Sequence, residues 1–455
     1  MNRPVSPLSL GLGAAAAIVA AAVIVVPAES QIAVRNQGYV PFSEEPINYR
    51  AEVDDPVARL QRRLERGEAT LRHDERHGYL PSVLEQLRIP VSSQTLVFSK
   101  TSFQYRQITP QTPRALYFND DVYVGQVRSG KVLEFVSFDA RQGAIFYILN
   151  EQPSAAPRFE RAELDCTQCH VAAGTRNVPG VLIRSVFTNP TGTQATGAPA
   201  FITGHESPLS QRFGGWYVTG THGTATHMGN VVVRDRAAPE NIDRSAGANV
   251  TSLEASFDAT AYLSPHSDIV AQLVQAHQTQ AHNLITLTNY QTRIALHAEE
   301  KAGRRPGELS DAARLKFQQP ADELVRYLLF ADEAPLAGPV RGTSSFAAEF
   351  SAQGPRDGRG RSLRDFDLQT RLFKYPGSYL LYTDAFDAIP EPARSYVYHR
   401  LLDVLTGRDQ SPPFARLTAA DRQAVLEILL ATKGDLPEEW KAHAHQTDHQ
   451  RGTNR

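Results

Sequence analysis

The sequence predicts an α+β chain: an antiparallel β-meander, then a short cysteine-bearing segment, then a mainly α-helical C-terminal part. Three observations carry this. Between Thr95 and Leu149 apolar residues alternate with period two and are interrupted by short turn signals. From His266 onward apolar residues recur three and four apart, which is the period of a helix. The two cysteines of the chain lie between these stretches, three positions apart.

At the amino terminus Arg3 precedes an apolar run from Leu8 to Val26, and Val26, Pro27 and Ala28 supply small residues suited to signal-peptidase cleavage. The run also has about the 20 residues that span a bilayer, so the segment reads as a cleaved signal peptide or an N-terminal membrane anchor. Either way the body of the chain is expected outside the cytoplasm. Residues 31–50 are polar and irregular, as a tether would be.

Asp54 and Asp55 before Pro56 form a helix start, with Val57, Leu60, Leu64 and Leu71 on one stripe. His73 and His77 near its end have i, i+4 spacing, but with no third ligand indicated they read as a charged turn. A second short helix is expected over Ser82–Leu87, closed by Pro90. Strands follow at Thr95–Ser99, Arg114–Phe118, Asp121–Val127, Val132–Phe138 and Ala144–Leu149, with turns at Asn119-Asp120, Ser129-Gly130 and Gln142-Gly143. Asn119, Asp120 and Asp121 are the residues that tight turns select. Pro157–Asp165 is expected to be a short helix leading into the cysteines.

The next segment is Cys166-Thr167-Gln168-Cys169-His170. A C-x-x-C-H pentad in an exported chain reads as a covalent haem c attachment site. Two thiols three positions apart on a helical turn reach the two vinyl groups of one porphyrin, and the adjacent His offers an imidazole nitrogen to the iron. A zinc site needs further ligands at matching spacing, and the chain has no other cysteine. A thioredoxin-like dithiol needs a βαβ setting that the neighbouring sequence lacks.

Beyond the motif, Pro179 is a candidate to offer its carbonyl to the ring of His170, a contact that orients a metal-bound His. Arg176 and Arg184 are candidates for pairing with the haem propionates. Trp216, Tyr217, His222, His227 and Met228 crowd into one glycine-punctuated stretch, and Met228 is the only methionine besides the first residue. Met228, His222 and His227 are therefore candidates for a second axial iron ligand. His277 is a further one, on the apolar stripe formed by Ile269, Val270, Leu273, Val274, Ala281, Leu284 and Ile285, with His282 off to its side. The alternative for Met228 is gap filling in a core, and for His277 a hydrogen-bonded core position.

A break at Gly303–Pro306 precedes a helix over Ser310–Phe330. Gly338–Gly360 reads as a long flexible surface loop. Helices are expected over Pro390–Leu405, ended by Gly407, and from the Thr418/Asp421 capping pair to Thr432. The organisation is then a signal peptide or anchor at 1–28, a polar tether with short helices at 29–92, and a β-rich haem c-binding region at 93–250. A mainly helical region at 251–441 and a disordered tail at 442–455 complete it. A formal net charge of −2 gives no indication of nucleic-acid binding or of a polybasic membrane surface.

With its export signal, the pentad resembles the c-type cytochromes, and Cys166, Cys169 and His170 match that family's attachment and proximal residues. The small monohaem cytochromes carry the motif near the amino terminus, whereas here it follows a meander. The chain is similar in general appearance to large single-haem bacterial proteins carrying one CxxCH motif, which offer no activity to carry over. Dihaem peroxidases are of similar size but have two motifs. The resemblance implies one covalent haem c, one-electron iron chemistry and a redox partner protein. The alternative is a haem enzyme of peroxidase or oxygenase type, or a haem-based sensor, with an open iron position flanked by Trp216, Tyr217, His222 or His227.

Overall fold

Short strands and α-helices alternate unevenly along residues 39–305 and 307–443, which the computed structural model describes. The predicted leader, and the tail beyond His443, lie outside the described residues. The strands are β1 (Thr95–Val97), β2 (Arg114–Phe118), β3 (Val122–Gln126), β4 (Val132–Asp139), β5 (Gly143–Asn150), β6 (Phe159–Arg161), β7 (Arg184–Val186), β8 (Ala200–Ile202), β9 (Trp216–Tyr217), β10 (Gly220–Thr221) and β11 (Arg341–Gly342). The helices are α1 (Pro56–Glu65), α2 (Leu80–Leu87), α3 (Glu163–His170), α4 (Ile269–Lys301), α5 (Asp311–Leu328), α6 (Phe346–Ala352), α7 (Asp384–Asp387), α8 (Glu391–Leu405) and α9 (Ala419–Thr432).

Seven strands form one antiparallel sheet in the order β6-β5-β4-β3-β2-β1-β9. The five strands of the meander pair consecutively, as the short turns require. The first stops at Val97 because Phe98 and Ser99 turn their amides onto the Gly215 carbonyl. One strand of this sheet was not predicted: β6 occupies part of the segment expected to be helical before the cysteines, while β9 returns from beyond them to pair with β1.

Side chains alternate across this sheet and both faces are buried. One face, with Ala115, Tyr117, Val124, Leu133, Phe135 and Tyr147, packs on α1 and α2. The other, with Phe118, Tyr123, Phe138, Ala144 and Phe146, packs on α4 and through it on the C-terminal helices. The β-rich and helical regions therefore share one core.

Helix α4 is the centre of that core. Asp268 caps it, its Oδ1 accepting from Val270 N at 2.8 Å. The sequence suggests one apolar stripe, yet polar residues on its other faces are buried too. They are tolerated because each finds a partner: Gln272 donates to Tyr217 O, Gln278 to Asn119 O and Asn289 to Ala388 O. His282 is buried, stacks on Phe138 at 3.9 Å and bonds the Asp120 carbonyl at 2.7 Å.

Three further expectations are corrected. The helix begun at Pro56 ends at Glu65, with Gly67 at φ 70°, so Leu71 lies outside it. The 338–360 stretch is not one long loop. The Asp268 Oδ2 accepts from Thr343 N, Ser344 N and Ser344 Oγ, each at 2.8 Å, which fixes β11 and the start of α6, and α6 buries Phe346 and Phe350. At the carboxy end Trp440 is fully buried, its indole N–H donating to Tyr398 O at 3.2 Å, and Ala442 and His443 continue that helical turn instead of beginning a disordered tail.

Candidate haem-attachment site

Helix α3 carries the pentad, so Cys166 and Cys169 stand one turn apart and His170 ends the helix. Neither cysteine is in a disulfide. Cys166 is half-buried against the main core, while Cys169 is exposed. The chain then folds back on the histidine. The Gly180 amide donates to the His170 carbonyl at 3.0 Å, and the Thr175 hydroxyl donates to the same carbonyl at 3.2 Å. Arg176 and Asn177 take φ of 59° and 58° to make the reversal.

The side chain of His170 is oriented by this loop. Its Nδ1 lies 2.9 Å from the Gly180 carbonyl. A carbonyl only accepts, so Nδ1 carries the proton and the Nε2 lone pair is left for another partner. The expected carbonyl was that of Pro179; the bond is made one residue later, and the Pro179 carbonyl accepts from Ala144 N instead. Burial pushes the imidazole pKa down. Its ring lies 5.0 Å from that of Phe146 on β5.

Gly180 is held from the other side by α4. Asn283 Nδ2 donates to the Val181 carbonyl at 2.8 Å and its Oδ1 accepts from Val181 N at 3.1 Å. A Cβ at position 180 would collide with that amide.

Beside His170 the sheet carries an ion pair between Arg114 of β2 and Glu134 of β4. Arg114 reaches it by crossing Gly125 of β3, where any side chain would meet the guanidinium. Both charges act on the His170 imidazole, Arg114 disfavouring and Glu134 favouring its protonation. Neither residue stood out in the sequence; the available signal was two opposite charges at inward-facing strand positions.

The remaining candidates lie in other settings. Arg176 Nη1 is 3.0 Å from Glu323 Oε2 of α5, and Arg184 Nη2 donates to Gln194 Oε1 at 3.3 Å. Met228 is buried with Phe187, Ala195 and Val233, in a cluster separate from the one Cys166 packs against, and its Sδ accepts from Ser185 Oγ at 3.6 Å. His222 Nε2 accepts from Asn249 N at 3.1 Å, and His227 Nδ1 from Gly229 N at 3.0 Å. Each of these neutral rings thereby spends its lone pair on a backbone amide. Burial drives the His227 pKa down to about 3. His277 is fully buried, its Nδ1 2.8 Å from His205 Nδ1 and its Nε2 2.8 Å from Ser378 Oγ.

Trp216 and Tyr217, adjacent in sequence, part across the sheet. Trp216 joins the core that contains Phe146 and donates to the Arg184 carbonyl at 2.8 Å, while Tyr217 joins the opposite core. Away from the motif, His73 Nε2 bonds the Glu151 carbonyl at 2.9 Å, and Asn119 Oδ1 accepts from the amides of Asp121 and Val122, as turn residues do. Among the described residues no three His, Cys, Asp or Glu side chains are grouped to hold a metal ion, and no helix is long and apolar enough to cross a membrane.

Comparison with protein families, curated proteins and solved structures found no match for this chain.

Proposed function

We propose that the protein is an extracytoplasmic monohaem c-type cytochrome carrying out one-electron transfer. The observation that carries this reading is the bond from His170 Nδ1 to the Gly180 carbonyl, directly after a C-x-x-C pair on one helical turn. It leaves Nε2 as the ligating nitrogen and strengthens its basicity, the arrangement a proximal histidine needs. The donor set fits haem c: Cys166 and Cys169 supply thioethers and His170 the axial nitrogen. Haem so held supplies reversible one-electron Fe(III)/Fe(II) chemistry. The protein's part is to fix the ring of His170 through Gly180 and to keep the Arg114–Glu134 pair beside it. The apolar run Leu8–Val26 supports export, as a cleaved signal or an inner-membrane anchor, and the reading implies a redox partner protein.

A second reading, a haem enzyme or sensor with an open iron position, draws on one observation. Met228, His222, His227 and His277 are each engaged in bonds of their own.

The test is the optical spectrum of protein matured with haem c, oxidised and reduced, with and without carbon monoxide. Haem that remains on the chain after denaturation, with a low-spin spectrum indifferent to carbon monoxide, is the result expected of the carrier. A high-spin spectrum that shifts with carbon monoxide moves the assignment to the second reading. Release of haem on denaturation removes both.

A further inference from the structure

The segment from Gln86 to Asn119 contains four cations, Arg88, Lys100, Arg106 and Arg114, and no carboxylate, in a chain whose formal net charge is −2. Part of this segment, the 100–107 loop, reaches the neighbourhood of His170 through one ion pair. Ser102 Oγ donates to Glu134 Oε1 at 2.6 Å and Gln104 Nε2 to the same oxygen at 2.9 Å, and Glu134 is the partner of Arg114. Gln104 also ties the loop to the β3–β4 turn, accepting from Lys131 N at 2.9 Å and donating to Val132 O at 3.1 Å.

These anchors point inward and leave the intervening side chains outside. Phe103 is 55% exposed and Tyr105 46%, a level of exposure few large hydrophobic side chains reach among the described residues. Arg106 and, from the turn, Arg128 and Lys131 are exposed around them, and Lys100 is half-buried. Asp258 lies 3.9 Å from Arg128, and the Glu151 amide donates to the Lys131 carbonyl at 2.9 Å. Two exposed aromatics framed by cations make an apolar contact area with a positive rim, the pattern that recognises a partner with an apolar patch in an acidic surround.

We infer that the 100–107 loop together with the 127–131 turn is the surface on which an acidic redox protein docks to exchange electrons at the His170 site. This rests on the haem reading above. In each encounter one electron leaves one protein and enters the other, and no atom or proton is transferred. The loop is held by hydrogen bonds to Glu134, a charge that also acts on the His170 imidazole, and on the haem reading this ties the surface to the cofactor position.

The test uses the full haem-loaded chain and an acidic blue-copper protein as the probe, with the rate of electron exchange followed by stopped flow. For the unaltered protein the rate should fall roughly tenfold or more between low and high salt, as screening removes the attraction. The Lys100→Glu/Arg106→Glu variant should lose most of that low-salt rate and its salt dependence. Phe103→Ala/Tyr105→Ala should slow exchange severalfold at every salt concentration. In both variants the haem spectrum and potential, and the rate with a small cationic cobalt complex, should not fall. Exchange with the acidic protein that is indifferent to both variants would overturn the docking surface while leaving the haem reading intact. A changed haem spectrum in Phe103→Ala/Tyr105→Ala would also overturn it, making these rings a wall of the cofactor site. A chain that binds no haem fails the earlier reading, and this one with it.

Discussion

Gly180 and Asn283, 103 positions apart, meet so closely that the amide of one occupies the space a Cβ of the other would need. The contact links the central helix to His170, because Asn283 clamps Val181 and Gly180 holds His170. Gly180→Ala should destabilise the protein by about 1–3 kcal/mol through overpacking. Asn283→Ala should cost a similar ~1–3 kcal/mol by leaving the Val181 amide and carbonyl unpaired. Thermal unfolding checks both, and in haem-loaded protein Asn283→Ala should also shift the midpoint potential. An unshifted potential would confine Asn283 to a structural role.

His170 itself separates attachment from ligation. On the haem reading, His170→Ala should keep haem through denaturation, since the thioethers would come from Cys166 and Cys169, but lose the native spectrum. A native spectrum in His170→Ala protein would show that another group ligates the iron.

Asp268 works at two places with two oxygens, capping α4 and gripping the chain at Thr343 and Ser344. Asp268→Ala should cost about 2–4 kcal/mol, a helix cap together with charge-assisted hydrogen bonds. Hydrogen exchange should quicken first at 341–352. Unchanged protection there would mean that α6 is held by Phe346 and Phe350 alone.

Asp121 gives a pH dependence of known sign. Burial, then the neighbouring Asp120 and Asp384 carboxylates, raise its pKa from 3.8 to about 7, against opposing pulls from Arg59 and Arg364. A carboxyl whose folded pKa is raised stabilises the fold below its unfolded pKa, and that contribution is lost as pH climbs from about 4 through 7. Asp121→Asn should therefore gain on the order of 2 kcal/mol over the parent at pH 8 relative to pH 4.5, read by urea unfolding at each pH. Equal differences at the two pH values would contradict the buried carboxyl.

The buried histidines pull the other way. His277 and His227 are pushed down to about 3 and His282 to about 4, all by burial. Unfolding lets each take up a proton near its ordinary pKa of 6.5, so their contribution rises with pH from about 4 to 6.5. His277→Gln should flatten the acid limb of the stability curve by about 1.4 kcal/mol per pH unit at most. A limb of unchanged slope would mean that His277 is protonated in the folded protein.

The meander, the helix starts at Pro56, Ser310 and Thr418, and the pentad were legible from local pattern, because period-two alternation, caps and a C-x-x-C-H spacing are set by neighbours in the chain. The carbonyl for His170 was legible to within one residue, since only a short loop can return to it. What local pattern could not show was the environment of that loop. Asn283 looks like one polar residue on a long helix, and Arg114 and Glu134 look like ordinary strand charges. Their roles come from Gly180 and Gly125, where absent side chains let distant groups approach. The distal candidates fared differently for the same reason. Trp216, Tyr217, His222, His227 and Met228 are close in sequence, but the sheet separates Trp216 from Tyr217, and backbone amides or a separate core take up the others. Sequence alone determined most of the meander, several helix starts and the spacing that sets Cys166, Cys169 and His170 on one helical turn. Tertiary packing decided which groups surround them, because burial on both faces of the sheet and around α4 brings distant polar side chains such as Asn283, Arg114 and Glu134 together with this loop and its sheet.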